Sequence, residues 1–169
     1  MRMTKLNTGI LIATLMTISG AQQALAHHET DSLPLYPRDA ADQCVDDGLQ
    51  IRVTVEGAQH KGLVKVELYS PDDKFLKDET RKVRVPASDE PFRVCMNIDA
   101  PGTYAVAGYN DLDADRKIDK KLFKPDEPFG VVNSDKVEGK KRPKFHQVSF
   151  EVGEKGADVK LILIDGDKE

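Results

Sequence analysis

Seven short runs of alternating apolar and polar residues limit the possible folds of this chain more than any other sequence feature. Alternation with a period of two places every second side chain on the same face of a β-strand. The runs span residues 49–55, 63–69, 82–85, 92–98, 103–109, 144–152 and 159–164. Turn-forming residues separate them, and no helical period continues over a useful length. The sequence therefore predicts an all-β fold.

The length and composition fit a single domain of this kind. The chain has 169 residues, of which 32% are charged, and its mean hydropathy is −0.48. These values exclude a membrane protein with several spans. Seven strands within about 120 residues are typical of a seven-stranded antiparallel β-sandwich, either immunoglobulin-like or transthyretin-like.

The parity of each run predicts which side chains form the core between the two sheets. In the first two runs Ile51 and Val53, and likewise Val64 and Val66, alternate with polar residues. In the fourth run the apolar residues that share one face are Phe92, Val94, Met96 and Ile98. Further inner stripes are predicted at positions 148, 150 and 152 and at positions 159, 161 and 163. Cys95 lies between the apolar residues of its run and is therefore expected on the outer face.

The first 26 residues have the three parts of a secretory signal peptide. Arg2 and Lys5 form the positive start, residues 9–18 the apolar run, and residues 24–26 the small-residue cleavage site. The apolar run is shorter than the ~20 residues of a spanning helix, so no transmembrane segment is expected in the mature chain. We predict a periplasmic or secreted protein. Its divisions are a signal peptide at 1–26, an N-terminal arm at 27–48, the β-sandwich domain at 49–165 and a C-terminal tail at 166–169.

The two cysteines of the chain are Cys44 and Cys95. Export places them in an oxidising compartment, where two thiols so far apart in sequence are expected to form a disulfide. Two unpaired buried thiols are the alternative. Because Cys95 faces outward from the core, the bond would hold the N-terminal arm against the outside of a sheet.

An acidic loop directly after the fifth run carries the clearest chemical signal. Asp111, Asp113 and Asp115 occupy alternate positions, and Asp119 follows them. This spacing matches positions 1, 3, 5 and 9 of a calcium-binding loop, where alternate carboxylates of a tight turn point at one cation. Lys117 would add its backbone carbonyl at position 7. The sequence predicts calcium binding, and a solvated acidic turn is the alternative.

Two positions depart from the usual calcium loop. Position 6 is Arg116, where glycine normally permits a left-handed backbone without steric cost. Position 12 is Leu122, where such loops supply a bidentate glutamate. Glu127, Asp126 or a water molecule is expected to complete the shell. Because no helical period flanks the loop, a helix-loop-helix calcium sensor is excluded.

The segment 117–144 has a charge opposite to that of the whole chain. It contains nine Lys or Arg residues against five Asp or Glu residues, whereas the net charge of the chain is −4. It shows no regular period, and long loops inside compact domains are usually functional or disordered. We expect it either to bind an anionic envelope component or protein, or to be a solvated loop that balances the acidic turn. The acidic chain as a whole argues against a nucleic-acid partner.

Other chemical signals are sparse. His27 and His28 would open the mature chain, where an amino terminus and imidazole bind copper, with His60 or His146 as a further ligand. His146 is otherwise expected as a packed residue at the start of a strand. No nucleophile-elbow, zinc-protease or phosphate-loop motif occurs in the sequence. A non-enzymatic envelope or extracellular binding module is therefore favoured over a periplasmic copper protein or a hydrolase with an unrecognised carboxylate site.

The order of several motifs resembles one known family. They are residues 102–111, the acidic loop with Lys117 and Asp119, residues 127–133, and Phe145 leading into residues 150–152. Together they resemble domain of unknown function 2141, over about residues 49–164. The resemblance implies an exported bacterial β-sandwich with no assigned activity. Its members usually read Asp-x-Asn-x-Asn-Gly-Lys through the loop, which implies metal-binding roles by position for Asp111, Asp113, Asp115, Lys117 and Asp119.

Overall fold

The structure is a computed structural model that describes residues 33–122, 124–137 and 142–165. The strands in these ranges are β1 Gln50–Glu56, β2 Leu63–Tyr69, β3 Arg81–Pro86, β4 Phe92–Asn97, β5 Gly102–Asp111, β6 Lys120–Lys121, β7 Lys124–Pro125, β8 Phe129–Val131, β9 Phe150–Val152 and β10 Ala157–Ile162. The helices are two 3-10 turns, Pro37–Asp39 and Ser134–Lys136, and one α-helical turn, α1 Phe145–Val148. The predicted signal peptide, His27, His28 and the C-terminal tail lie outside the described residues. Within the described ranges, no helix has the length and hydropathy required to cross a membrane.

The strands form two sheets that pack as a sandwich, which confirms the predicted fold class. One sheet has the order β10-β1-β4 and the other β3-β2-β5-β8, and β9 pairs with the first part of β5. β6 and β7 form a separate hairpin. The strand pairs are antiparallel except for β1 and β10, which run parallel. After β9, which pairs with β5, the chain crosses to the other sheet. There it forms β10, which runs in the same direction as β1.

The core between the sheets follows the predicted parity, except that Val148, predicted in an inner stripe, lies in a second cluster described below. Ile51, Val53 and Val55 on β1 are fully buried and belong to one cluster with Val64 and Val66 on β2. The same cluster contains Leu68, Val83, Val94, Met96, Val106, Val152, Leu161 and Leu163. Burying one aliphatic side chain of this size contributes roughly 1.5–3 kcal/mol. Burial of these alternating apolar side chains is therefore the main driving force for packing the two sheets together.

A second apolar cluster, the outer cluster, covers the opposite face of β2 and β5. It contains Tyr69, Ala105, Ala107 and Val148, with Phe75 and Phe145 packed against them. The ring of Phe75 meets those of Tyr69 and Phe145 edge to face, at centroid distances of 5.0 and 6.1 Å. β5 is consequently buried on both faces along most of its length.

Two segments differ from the sequence predictions. The sequence predicts one strand over 144–152, whereas the structure has α1 and then β9. Phe145 and Val148 lie three residues apart, so one helical turn directs both into the outer cluster and leaves His146 exposed. The sequence also predicts no regular element within 120–143, yet this segment contains β6, β7 and β8. β8 is ordered by pairing with β5, a contact that the local pattern does not show.

The predicted disulfide joins Cys44 and Cys95, whose Cα atoms are 5.3 Å apart. Cys95 is buried but does not belong to the core cluster between the sheets, in agreement with its predicted outward orientation. Asp42 forms a β-bridge with Cys95, and its carboxylate accepts the Asn97 N–H at 2.6 Å. Arg81 on β3 forms an ion pair with Asp42 at 2.7 Å. The arm is therefore fixed to an edge strand of each sheet.

Candidate metal centre

The end of β5 is held in place by the side chain of Asn110. This fully buried amide donates to the carbonyl oxygens of Lys61 and Leu63 at 2.9 and 3.2 Å. Its oxygen accepts the Gln59 N–H at 2.7 Å. These bonds lock β5 to the turn before β2 and fix the starting point of the acidic loop. Asp111, the last residue of β5, is fully buried there.

Three carboxylates converge in the acidic loop. Asp111, Asp113 and Asp115 each offer an oxygen, and these oxygens lie within 4.8 Å of one another. Asp111 is buried, whereas Asp113 and Asp115 are exposed. One buried and two accessible oxygen ligands around a common point form an arrangement that a divalent cation bridges.

The backbone of the loop curls around these carboxylates. The Arg116 N–H donates to Asp111 Oδ2 at 2.9 Å. The Asp115 N–H donates to Asp113 Oδ1 at 3.1 Å, and the Lys117 N–H donates to Asp115 Oδ1 at 2.7 Å. Arg116 has a φ of 74°, in the left-handed region that the calcium-loop pattern predicts for position 6. An arginine therefore adopts the backbone conformation that glycine normally supplies.

The second oxygen of Asp111 has no hydrogen-bond partner within the described part of the chain. This Oδ1 atom is buried, and leaving such an atom unsatisfied typically costs about 1–3 kcal/mol. Burial raises the pKa of Asp111, and the charges of Asp115 and Asp113 raise it further against the lowering effect of the Arg116 N–H. The protein alone thus satisfies the ionised carboxylate poorly, and a cation would supply the missing partner.

Glu127 closes the acidic loop. Its buried carboxylate accepts the Leu112 N–H on Oε1 at 2.6 Å and the Asp119 N–H on Oε2 at 3.1 Å. Burial raises the pKa of Glu127, with a further rise from Asp111 and Asp119, and this outweighs the lowering by the two backbone donors. The side chain ties the first and last parts of the loop together, across the residues that carry the converging carboxylates.

Three of the six residues predicted to hold a metal converge in the structure. Among the described residues, the converging group contains neither Asp119 nor Glu127. Asp119 is exposed one residue before β6, and Lys117 is exposed within the loop. Asp126, the alternative ligand to Glu127, is also exposed, and its N–H donates to the Asp119 carbonyl at 2.9 Å.

The side chain of Arg116 connects the acidic loop to the N-terminal arm, a contact that sequence analysis missed. Its Nη1 donates to the Pro34 carbonyl at 2.7 Å, and its guanidinium lies 4.4 Å from the centre of the Tyr36 ring. It also forms an ion pair with Asp39. Arg84 on β3 pairs with Asp39 at 2.9 Å and donates to the Arg116 carbonyl at 3.4 Å. The arm, β3 and the acidic loop therefore share one network, the Asp39 network.

Two substitutions at position 116 are expected to separate the side-chain contacts from the backbone strain. Arg116→Ala keeps the left-handed strain and loses the charged hydrogen bonds, so we expect a loss of about 1.5–3 kcal/mol in the free energy of unfolding. Arg116→Gly loses the same contacts but relieves the strain, so it is expected to be about 1 kcal/mol more stable than the alanine variant. Chemical denaturation measures both values. Equal stability of the alanine variant and the wild type would contradict the role assigned to the side chain.

Neither histidine in the described ranges belongs to a converging group of three metal-ligand side chains. His60 is exposed, and its Nδ1 lies 3.8 Å from a carboxylate oxygen of Asp89. His146 is exposed on α1 and not packed on an inner face as the parity of a strand predicts. Among the described residues, no converging metal-ligand group contains a histidine. His27 and His28 lie outside these ranges.

The fold and this site define a two-sheet all-β protein with an acidic loop at the end of a central strand. The chain belongs to the family DUF2141, described as uncharacterized protein conserved in bacteria, whose profile matches residues 53–160. The match confirms the family that the sequence motifs indicate. Searches of curated proteins and of solved structures each found no match.

Proposed function

We propose that the protein is an exported calcium-binding β-sandwich that acts as a non-enzymatic binding module of the bacterial envelope or extracellular space. The observation that carries the proposal is the buried Asp111 Oδ1. It has no hydrogen-bond partner in the described ranges, and its carboxylate belongs to the three that converge. A cation bound there satisfies this oxygen and offsets the mutual repulsion of three negative charges.

The donor set favours calcium over other divalent cations. All three converging side chains supply carboxylate oxygen, whereas zinc and copper favour nitrogen or sulfur. Asp113 and Asp115 are exposed on a curled loop, and Ca²⁺ accepts irregular shells of about six to eight oxygens. Mg²⁺ demands a stricter octahedral geometry. Further oxygens are proposed from the Lys117 carbonyl, Asp119 and water.

Export is proposed from the signal-peptide features of residues 1–26. The disulfide supports it, because disulfides form and persist in oxidising compartments such as the periplasm. Calcium sites of extracellular modules have Kd values of about 10⁻⁴ to 10⁻³ M. We expect a Kd in the same range for this loop, because arginine occupies position 6. The proposed location and the proposed affinity are therefore consistent with each other.

We expect Ca²⁺ to raise the Tm of the wild-type protein. A ligand that binds only the folded state stabilises it by RT ln(1 + [L]/Kd). For a Kd on the order of 10⁻⁴ to 10⁻³ M, 1 mM Ca²⁺ adds roughly 0.4–1.4 kcal/mol. The corresponding rise in Tm is roughly 1–5 °C. Scanning calorimetry measures the shift and titration calorimetry the Kd, and Mg²⁺ at the same concentration is expected to have a smaller effect.

A matched pair of substitutions controls this experiment. Asp111→Asn removes the buried charge with little change in side-chain shape and is expected to abolish the calcium-dependent shift. Asp78→Asn changes an exposed carboxylate outside the loop and is expected to retain the full shift. If titration of the wild type with millimolar Ca²⁺ shows no binding, the loop is a solvated acidic turn and the proposal is wrong.

A further inference from the structure

The hairpin of β6 and β7 presents the most exposed large apolar residue in the described part of the chain. The two strands pair antiparallel, and Leu122 follows β6 at the turn. Leu122 is 88% exposed, whereas the other exposed large apolar residues lie between 39% and 48%. Its side chain therefore contributes almost no apolar burial to the folded protein.

Leu122 also has an unfavourable backbone conformation. Its φ is 50°, in the left-handed region that favours glycine or asparagine. A leucine at an exposed left-handed turn lowers stability through both the backbone and the apolar surface that it leaves in water. Residues with a strained backbone are enriched at functional sites such as ligand-binding contacts.

Lysines flank this apolar tip in the sequence. Lys117, Lys120 and Lys121 are exposed, and none of them forms an ion pair with another described residue. The sequence adds Lys124 on β7, so residues 120–125 carry three positive charges between the exposed carboxylates of Asp119 and Asp126. An apolar side chain between lysines matches an anionic phospholipid surface, where apolar groups enter the headgroup region and lysines attract lipid phosphates.

The hairpin is attached directly to the base of the acidic loop. The Asp126 N–H donates to the Asp119 carbonyl at 2.9 Å and closes the hairpin. Glu127 accepts the N–H groups of Asp119 and Leu112, so the base of the hairpin and the start of the loop are held together. Without a cation, the converging carboxylates repel an anionic surface. A bound Ca²⁺ offsets this repulsion.

We propose that this hairpin docks the protein onto an anionic phospholipid surface. Leu122 enters the headgroup region, and Lys120 and Lys121 contact lipid phosphates. Ca²⁺ in the acidic loop strengthens the docking, and this dependence rests on the proposed function, whereas the contact of Leu122 with lipid does not. One apolar side chain alone gives weak, reversible attachment, so the lysines supply the second signal that membrane binding requires.

Flotation with vesicles of phosphatidylglycerol and phosphatidylcholine tests the docking, using protein secreted to and purified from the periplasm. In Ca²⁺ the wild type is expected to bind the vesicles that contain phosphatidylglycerol and to bind vesicles of pure phosphatidylcholine weakly.

Four variants test which side chains contact the lipid. Leu122→Asn suits the left-handed turn and is expected to weaken binding about tenfold or more, the effect of losing one buried leucine. Lys121→Gln is expected to weaken it about fivefold. Ile162→Thr and Lys77→Gln change another exposed apolar residue and another exposed lysine, and are expected to bind as the wild type does.

Three results would overturn the docking proposal. They are no binding of the wild type to anionic vesicles, equal binding of Leu122→Asn and the wild type, and preference of the wild type for a soluble anionic polysaccharide. Titration with Ca²⁺ in the absence of vesicles tests the acidic loop separately. If no Ca²⁺ binds, the calcium proposal fails, and the vesicle comparison in a chelator decides the lipid contact. Weaker binding of Leu122→Asn there supports the contact, and equal binding refutes it.

Discussion

Asp39→Ala is expected to lower the free energy of unfolding by about 3–5 kcal/mol, the usual effect of removing one partner of a buried ion pair. The side chains of Asp39 and Arg84 are 2% and 4% exposed, and their charged atoms are 2.9 Å apart. Without Asp39 the Arg84 guanidinium stays buried without a carboxylate, and Arg116 loses the carboxylate of its ion pair as well. Urea denaturation followed by far-ultraviolet circular dichroism measures the loss, because the chain contains no tryptophan.

Two further variants control this result. The double replacement of Asp39 and Arg84 by alanine removes both charges, so it is expected to cost less than the sum of the single replacements. Asp78→Ala changes a carboxylate that is 69% exposed and is expected to alter stability by no more than about 0.5 kcal/mol. A loss below about 1 kcal/mol for Asp39→Ala would show that the arm is not anchored by this network.

The same carboxyl makes stability depend on pH in the acid range. Burial raises the pKa of Asp39, but the hydrogen bonds and charges of Arg116 and Arg84 outweigh it and hold the pKa below its ordinary value of 3.8. Such a group stabilises the folded state fully above the ordinary value, and the contribution is lost as pH falls through the folded value. Below about pH 4, the free energy of unfolding of the wild type is therefore expected to fall as this carboxyl becomes protonated. Asp39→Asn has no carboxyl at this position, so its stability is expected to lack this part of the acid dependence.

Replacing both cysteines by serine is expected to lower the free energy of unfolding by about 2–5 kcal/mol. The disulfide joins positions 51 residues apart, and a loop of this length corresponds to about 4 kcal/mol of chain entropy in the unfolded state. The bond also holds the arm that carries Asp39. Its loss therefore raises the entropy of the unfolded chain and loosens the attachment of the Asp39 network.

Guanidinium denaturation of oxidised wild type, reduced wild type and the double serine variant measures this effect. The last two are expected to agree with each other, and thiol titration of the oxidised protein in denaturant is expected to find no free thiol. Asp42 still forms its backbone bridge with position 95 and its ion pair with Arg81, so far-ultraviolet circular dichroism is expected to stay unchanged at neutral pH. A difference below about 1 kcal/mol would mean that the arm is held without help from the disulfide.

The sequence predicts the strands and core well where the apolar residues of a strand share one face. Ile51, Val53 and Val55 repeat with the period of two that packing of one face against the other sheet imposes, and this period is visible within a few residues. The three converging carboxylates are predictable for a similar reason. A loop of five residues curls back on itself, so the relative positions of Asp111, Asp113 and Asp115 depend mainly on local backbone geometry.

The predictions fail where distant segments decide the outcome. Phe145 and Val148 lie on a helical turn because the outer cluster on β2 and β5 receives them, and a short apolar run does not distinguish a turn of helix from a strand. From the loop alone, Arg116 is only a departure from the glycine that calcium loops carry at this position. Its partner Asp39 lies 77 residues earlier in the chain, and no spacing rule relates two such positions.

The sequence by itself determined an all-β chain, the inward face of its main strands, the pairing of its two cysteines and a turn with three converging carboxylates. Only the tertiary structure decided the parallel pairing of β10 with β1, the outer cluster, the closure of the loop by Glu127 and the Asp39 network. The physical reason is the range of the forces involved. Alternation and turn geometry depend on residues that are close in sequence. Strand pairing and buried charge pairs depend on which distant segments pack against each other and remove water from between them.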